Sequence, residues 1–411
     1  MQRTLFTSVN IFDGSSTGTY RGSVAVEDNR IIEVSTGELT PQGDEHIIDG
    51  QGCTLMPGLV DIHTHLGLGS TVEAINPPGH YPDEVAALII AHCGRVMLDH
   101  GYTAAFSGGS ASVKGEIAAR DAFQKGLLPG PRLIASSFER LPGGPPGLIL
   151  KFPGCETRQP QPQAIADFVN DMAGLGVQAV KFLLNGVSAM DPGTNFNEQF
   201  YDEEIMAAGE AARARGVWLT AHCYTAHSIK LAIKAGFRTL YHLTYADEEA
   251  LDLLEANKDH LFIGPSPGIV EADLMEGPKM GVMASPEQVE EQTDAAQRLK
   301  TIGSELRKRG IKSVPGGDYG FPWNPIGKNA RDLELFVEWF GYTPQETLEA
   351  ATRIGGEAMG MGDELGQIKP GYLADLLLVH GNPLENIGLL RDKNNLRVIM
   401  KDGKLHKYCQ A

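Results

Sequence analysis

Residues 58–65 read GLVDIHTH, an apolar strand-like run that ends in two histidines two positions apart. Side chains alternate faces along an extended chain, so His63 and His65 point to one side, where a single metal ion can take both imidazoles. The pair stands where an apolar strand leaves the core. Barrel enzymes place their reactive groups at that end of each strand.

Working outward, further apolar strand candidates follow at 102–106, 132–135, 179–184, 218–221, 239–241, 261–263 and 313–315. Helical patterns lie between them, for example 83–101, 162–176, 202–216, 228–236, 246–258 and 286–310, and several close on glycine, a usual helix stop. Strands and helices alternating eight times predict a (β/α)8 TIM barrel rather than an open sheet. The chain has 411 residues. That leaves room for a small module beside a barrel of about 250 to 300 residues.

The module is read at the two ends. Residues 4–14, 22–35 and 46–58 alternate apolar and polar residues and break at Gly, Asp and Asn, as do 374–382 and 396–407, the last with Asp402-Gly403 at a hairpin turn. Neither end can bury much surface alone. The expectation is α/β: a small β-sandwich module formed by residues 1–56 and 361–411, around a barrel of residues 57–360.

Composition narrows the function classes. The chain has 35 basic and 52 acidic residues, a formal net charge of −17, which repels phosphate backbones; nucleic acid is not expected as a partner. No run of about 18 uninterrupted apolar residues occurs, so no membrane span is expected. The N-terminal residues show no basic segment before an apolar run. Five scattered cysteines form no CxxC pair, which suits a reducing, cytoplasmic compartment.

Other strand ends carry matching chemistry. VQAVKFLL (177–184) holds Lys181 within an apolar run. A surface lysine would snorkel, but an ammonium inside a barrel is expensive to bury, and a neutral amine can take up CO2 to become an anionic, bidentate carbamate. WLTAHCYT (218–225) carries His222, TLYHLTY (239–245) carries His242, and SVPGGDYG (313–320) carries Asp318. Each alone reads as a core histidine or a turn aspartate. Together they place six ligand-type residues on five strand ends.

Here the chain resembles the amidohydrolase superfamily, in its binuclear-metal form. PGLVDIHTH, the lysine of VKF, TAHCYT, YHLTY, GGDYG and the tail from Thr343 to Ile387 carry the resemblance, which covers nearly the whole chain. Residues 221–251 are especially similar to the imidazolonepropionase-like and Xaa-Pro dipeptidase-like branch. The resemblance implies two divalent ions, zinc first, with manganese, cobalt or iron as alternatives. It implies His63, His65 and Asp318 on the buried metal, His222 and His242 on the exposed one, and carboxylated Lys181 as the bridge. One departure stands out: the Gly-Gly-His-Gly-like segment usual after strand three is replaced by ASSFERLPGGPPGLILKFPG (135–154), which has no histidine. That weakens the case for peptide substrates more than the case for hydrolysis.

The implied reaction is attack by a metal-bridging hydroxide on the C–N bond of an amide, cyclic amide or carbamate. Asp318 would move the proton, and Tyr224, two positions beyond His222, would steady the oxyanion or else pack at the next loop. The stretches 67–83 and 264–286 read as long loops suited to lids, with Ile, Val, Leu and Met that suit a small apolar or aromatic substrate. His80, Arg140 and Trp323 are candidates to orient it, and the remaining histidines read as structural or surface residues. The same site would serve a lactone or other ester. A deaminase has no use for Lys181, and a non-catalytic relative would have lost ligands. The expected partner is a small molecule, and a homo-oligomer is expected.

Overall fold

The computed structural model describes residues 3–15, 18–72, 81–142, 151–283 and 285–409. Both chain ends meet in one sheet. Its strands are β1 (Arg3–Ile11), β2 (Tyr20–Glu27), β3 (Arg30–Ser35), β4 (His46–Asp49), β5 (Cys53–Pro57), and, much later, β13 (Leu376–His380), β14 (Leu396–Lys401) and β15 (Lys404–Tyr408). The order is β15-β14-β13-β5-β1-β2-β3, with β4 beside β1. The seam between the two ends is antiparallel, pairing Leu376 with Pro57 and His380 with Cys53. Phe6, Val9, Ile11, Leu55, Leu376, Leu378, Val398 and Met400 pack together as its core. Asp402 and Gly403 turn the last hairpin with φ of 51° and 69°, the positive values a two-residue type I′ turn needs. A side chain at 403 would also strike the Asp28 carbonyl.

Between the ends lie parallel strands: β6 (Leu59–Thr64), β7 (Tyr102–Ser107), β8 (Arg132–Ile134), β9 (Ala179–Leu183), β10 (Trp218–Thr225), β11 (Thr239–Tyr245) and β12 (Phe262–Gly264). They pair as β6-β7-β8 and as β12-β11-β10-β9. Single parallel bridges join Ser136 to Ala179, Ile263 to Ser313 and Thr64 to Tyr319. Every residue of β6, β7 and β9 is buried, as expected of strands covered on both faces. Arg132, which opens β8, ties these strands to the terminal sheet through Asp375 at 3.0 and 3.1 Å and through Asp402.

The helical readings hold to within a few residues: helices run Asp83–Asp99, Pro162–Leu175, Asp202–Arg215, Ala226–Ala235, Glu248–Ala256 and Pro286–Lys308. Two expectations are corrected. Residues 313–315 form no ladder, only the bridge at Ser313, because Pro315 has no N–H and Gly316-Gly317 follow. Residues 264–286 are no open loop: they contain a helix, Pro267–Met275, buried at Pro267, Gly268, Ile269, Val270, Ala272 and Asp273. No helix among the described residues is long and apolar enough to cross a membrane.

Candidate metal centre

Strand alternation aims most of the site. On β9, Val180 and Phe182 pack with Ile165 and Val169 of the Pro162–Leu175 helix, so Lys181 faces the opposite side. On β10, Leu219, Ala221 and Cys223 join the same outer core. His222 and Tyr224 are thereby turned inward, with their rings 4.3 Å apart. β11 departs from the pattern. Leu240 and Leu243 both pack outward, and His242 and Leu243 take φ of 75° and 63°. Two consecutive left-handed residues put Tyr241 and His242 on the inner side together. Residues held in such sparsely populated conformations cluster at functional sites.

The six residues converge. The rings of His63 and His65 are 5.4 Å apart, those of His63 and His242 5.3 Å, and those of His222 and His242 4.4 Å. Ligand atoms of His63, His242 and Asp318 all lie within 4.8 Å of one another. Lys181 Nζ is 3.4 Å from His63 Nε2 and donates to the Gly108 carbonyl at 2.6 Å. Asp318 has φ of 60°, and its amide donates to the His63 carbonyl, which seats the carboxylate against the histidines.

Hydrogen bonds set the imidazole tautomers. Ser266 Oγ lies 2.8 Å from both His63 Nδ1 and the Gly316 carbonyl. If the hydroxyl donates to the carbonyl, it accepts from Nδ1–H, which leaves His63 Nε2 as a lone pair facing Lys181 Nζ. His65 Nδ1 faces the Gly109 carbonyl at 3.0 Å, so it carries the proton and Nε2 is again a lone pair. That Nε2 lies 2.8 Å from Asp318 Oδ1. Two acceptors at this distance need a proton or a cation between them. Both ring nitrogens of His242 and Nε2 of His222 are buried with no hydrogen-bond partner among the described residues. Buried polar atoms are rarely left so. Nitrogen and oxygen donors without thiolate, converging with orphaned lone pairs, fit divalent zinc-like ions.

Electrostatics agree. Burial, with neighbouring cationic groups, holds His63 and His222 well below the ordinary imidazole range, and burial pushes His242 down to about 4. Neutral imidazoles are the ligand form. For Asp318, burial pushes the carboxyl up, but His63, His65 and His242 outweigh it and hold it well below the usual range. Burial lowers His65, yet the Asp318 contact wins and raises it.

The substrate candidates fare differently. Tyr224 sits beside the cluster, 5.1 Å from the His242 ring. Arg140 does not: its guanidinium lies over Phe168, 4.9 Å from the ring centroid, on the outer aromatic core around Phe182. Trp323 is 5% exposed, donates its indole N–H to Asp273 at 2.8 Å and stacks on Phe321, whose ring is 5.9 Å from His65. Its link to the cluster runs through Phe321. His80 lies outside the described residues. The sequence reading missed Ser266, Glu139, whose Oε1 is 3.3 Å from Lys181 Nζ, and Tyr241, which stacks on His63 at 3.8 Å. Ser266 and Glu139 stand in strand-exit turns without a motif. Tyr241 adjoins His242 and could have been found from that position.

Comparison with known proteins points the same way. The amidohydrolase family model matches residues 54–406. The Aspergillus niger ochratoxinase is 29% identical over 377 residues, covering 86% of this chain and 75% of that protein. The imidazolonepropionase of Sphingopyxis alaskensis is 24% identical, covering 93% and 92%. A crystal structure of a Xaa-Pro dipeptidase with bound methionine in the active site superimposes with a TM-score of 0.84 at 27% identity, covering 99% and 100%.

Proposed function

The chain belongs to the amidohydrolase family and is a hydrolytic enzyme, and from that premise we propose that it cleaves the C–N bond of a small apolar or aromatic amide, cyclic amide or carbamate with two divalent ions. The observation that carries this reading is the His65 Nε2–Asp318 Oδ1 contact of 2.8 Å, two acceptors facing each other near His222 and His242 nitrogens that have no hydrogen-bond partner among the described residues. His63, His65 and Asp318 would hold the inner ion, His222 and His242 the outer one, and carboxylated Lys181 both. Bound there, the ions would lower the pKa of water and polarise the scissile carbonyl.

The chain's own groups supply the rest. Asp318 stays a carboxylate under the surrounding imidazoles, so it can accept the proton of the attacking water and return it to the leaving amine. Burial holds the Tyr224 phenol well above its usual range, so it remains a hydrogen-bond donor to the developing oxyanion. Ser266 and the Gly109 carbonyl keep the first two histidines in the ligating tautomer.

We read the bridges at Ser136, Ser313 and Thr64 as closing β6–β12 and residues 313–319 into an eight-stranded barrel. The change of sheet membership between β5, which ends at Pro57, and β6 supports an N-terminal module boundary near residue 57. The five cysteines are free, which suits a reducing compartment.

The test is turnover by metal-loaded protein on a panel of amides, carbamates and lactones with apolar bodies. Cleavage of an amide or carbamate is expected. Faster cleavage of lactones would favour the ester reading. No cleavage of any of the three would end the hydrolase reading.

A further inference from the structure

The ring contacts of the site continue outward along the ends of β10 and β11. Tyr224 meets Tyr245 with centroids 6.2 Å apart, and Tyr245 meets Phe196 at 4.5 Å. Phe196 is 61% exposed, while its neighbour Asn195 is 3% exposed. A single exposed phenylalanine is ordinary on a protein surface. This one is not held by a loose segment. Asn195 Oδ1 accepts from the Ser188 amide at 2.8 Å, and Asn195 Nδ2 and Ser188 Oγ both donate to Glu291 at 3.1 and 2.7 Å. On the other side, Asn197 Nδ2 donates to the Phe152 carbonyl at 2.8 Å. Tyr245 is fixed by a side-chain hydrogen bond with Asn195 and by the Arg298 guanidinium 5.6 Å from its ring centroid. A pinned turn therefore presents a phenyl to solvent at the end of an aromatic path that begins at His222.

We infer that Phe196 and Tyr245 form a shelf at the mouth of the site that seats the aromatic ring of an amide substrate, and so set its specificity. This rests on the hydrolase reading and deepens it. Aromatic faces favour offset or edge-on ring partners, and the bound ring would cover apolar surface that water now touches. No proton moves on the shelf, so its loss should raise KM for aromatic substrates and leave kcat nearly unchanged.

The experiment compares N-acetyl-L-phenylalanine with N-acetyl-L-alanine, which share the scissile amide, in the wild type, Phe196→Ala and Tyr245→Leu. The wild type should prefer the aromatic compound, and each variant should lose about tenfold of that preference through KM. Calorimetry with 3-phenylpropanoate and propanoate, which carry no bond for the enzyme to cleave, reads the shelf without turnover. Tighter binding of the phenyl compound, weakened about tenfold by Phe196→Ala, supports it even if neither acetyl compound is cleaved. Equal binding of the two by the wild type, or an unchanged preference in both variants, overturns the shelf. Sedimentation showing that Phe196→Ala dissociates an oligomer also overturns it, since the phenyl would then face a second copy. Failure of every amide, carbamate and lactone would sink the hydrolase reading instead, and calorimetry would still decide the shelf.

Discussion

Asp318 Oδ1 stands 2.8 Å from His65 Nε2, while the other ring nitrogen of His65 faces the Gly109 carbonyl at 3.0 Å. Neutral His65 therefore has no hydrogen to give the carboxylate. The contact makes chemical sense with a cation or a shared proton in place, and the proposed mechanism would give Asp318 two duties, to bind and to move a proton.

Asp318→Asn removes the proton acceptor and keeps the shape. Turnover should fall by roughly two orders of magnitude or more, and the acidic limb of the pH–rate profile should vanish. Steady-state rates across pH measure both. Near-normal turnover with an unchanged profile would leave Asp318 as a ligand at most.

Ser266→Gly deletes the hydroxyl beside His63 Nδ1 but accepts the left-handed backbone, φ 54°, without strain. Loss of a group that orients a ligand should weaken metal binding by about ten- to a hundredfold, read by competition with a chelator. Unchanged affinity would show that Ser266 does not set the tautomer.

Lys181 is buried at 1% exposure beside His63. Protein loaded with metal in 13C-bicarbonate should show one carbamate carbon signal, absent in Lys181→Ala along with the metal. A metal-loaded wild type with no such signal would contradict the bridge.

Much of this was legible in the sequence because apolar runs and their polar exits survive folding directly. GLVDIHTH became β6, and WLTAHCYT became the whole of β10, so spacing alone set His63 against His65 and His222 against Tyr224. What stayed hidden depends on backbone turns or on distant packing. His242 reaches the site only through two left-handed residues, which no periodicity announces. The Pro267–Met275 helix is buried on nearly every side, so it shows no amphipathic stripe and read as a loop. Arg140 follows a strand exit like the clustered histidines, yet its partner Phe168 comes from a helix some thirty positions on, and that contact turns it outward.

Glu204 offers a stability test away from the site. Its carboxylate takes both oxygens to Arg158 at 2.6 Å and accepts the Gln161 and Tyr201 amides. Burial pushes its pKa up, but Arg158 and the amides win and lower it. The stabilisation is therefore present above the unfolded pKa of about 4.3 and is lost as pH falls through the lower folded value. Glu204→Gln should cost about 2 kcal/mol at pH 7 in urea melts and less at pH 3.5. An equal cost at both pH values would contradict the ion-pair account.

The most direct test of the central claim is the metal content of the purified chain, by elemental analysis set against protein concentration. The site predicts close to two divalent ions per chain, falling towards zero when His65 or His242 is replaced by alanine. A steady value near one with full turnover, or full turnover with none, would contradict it.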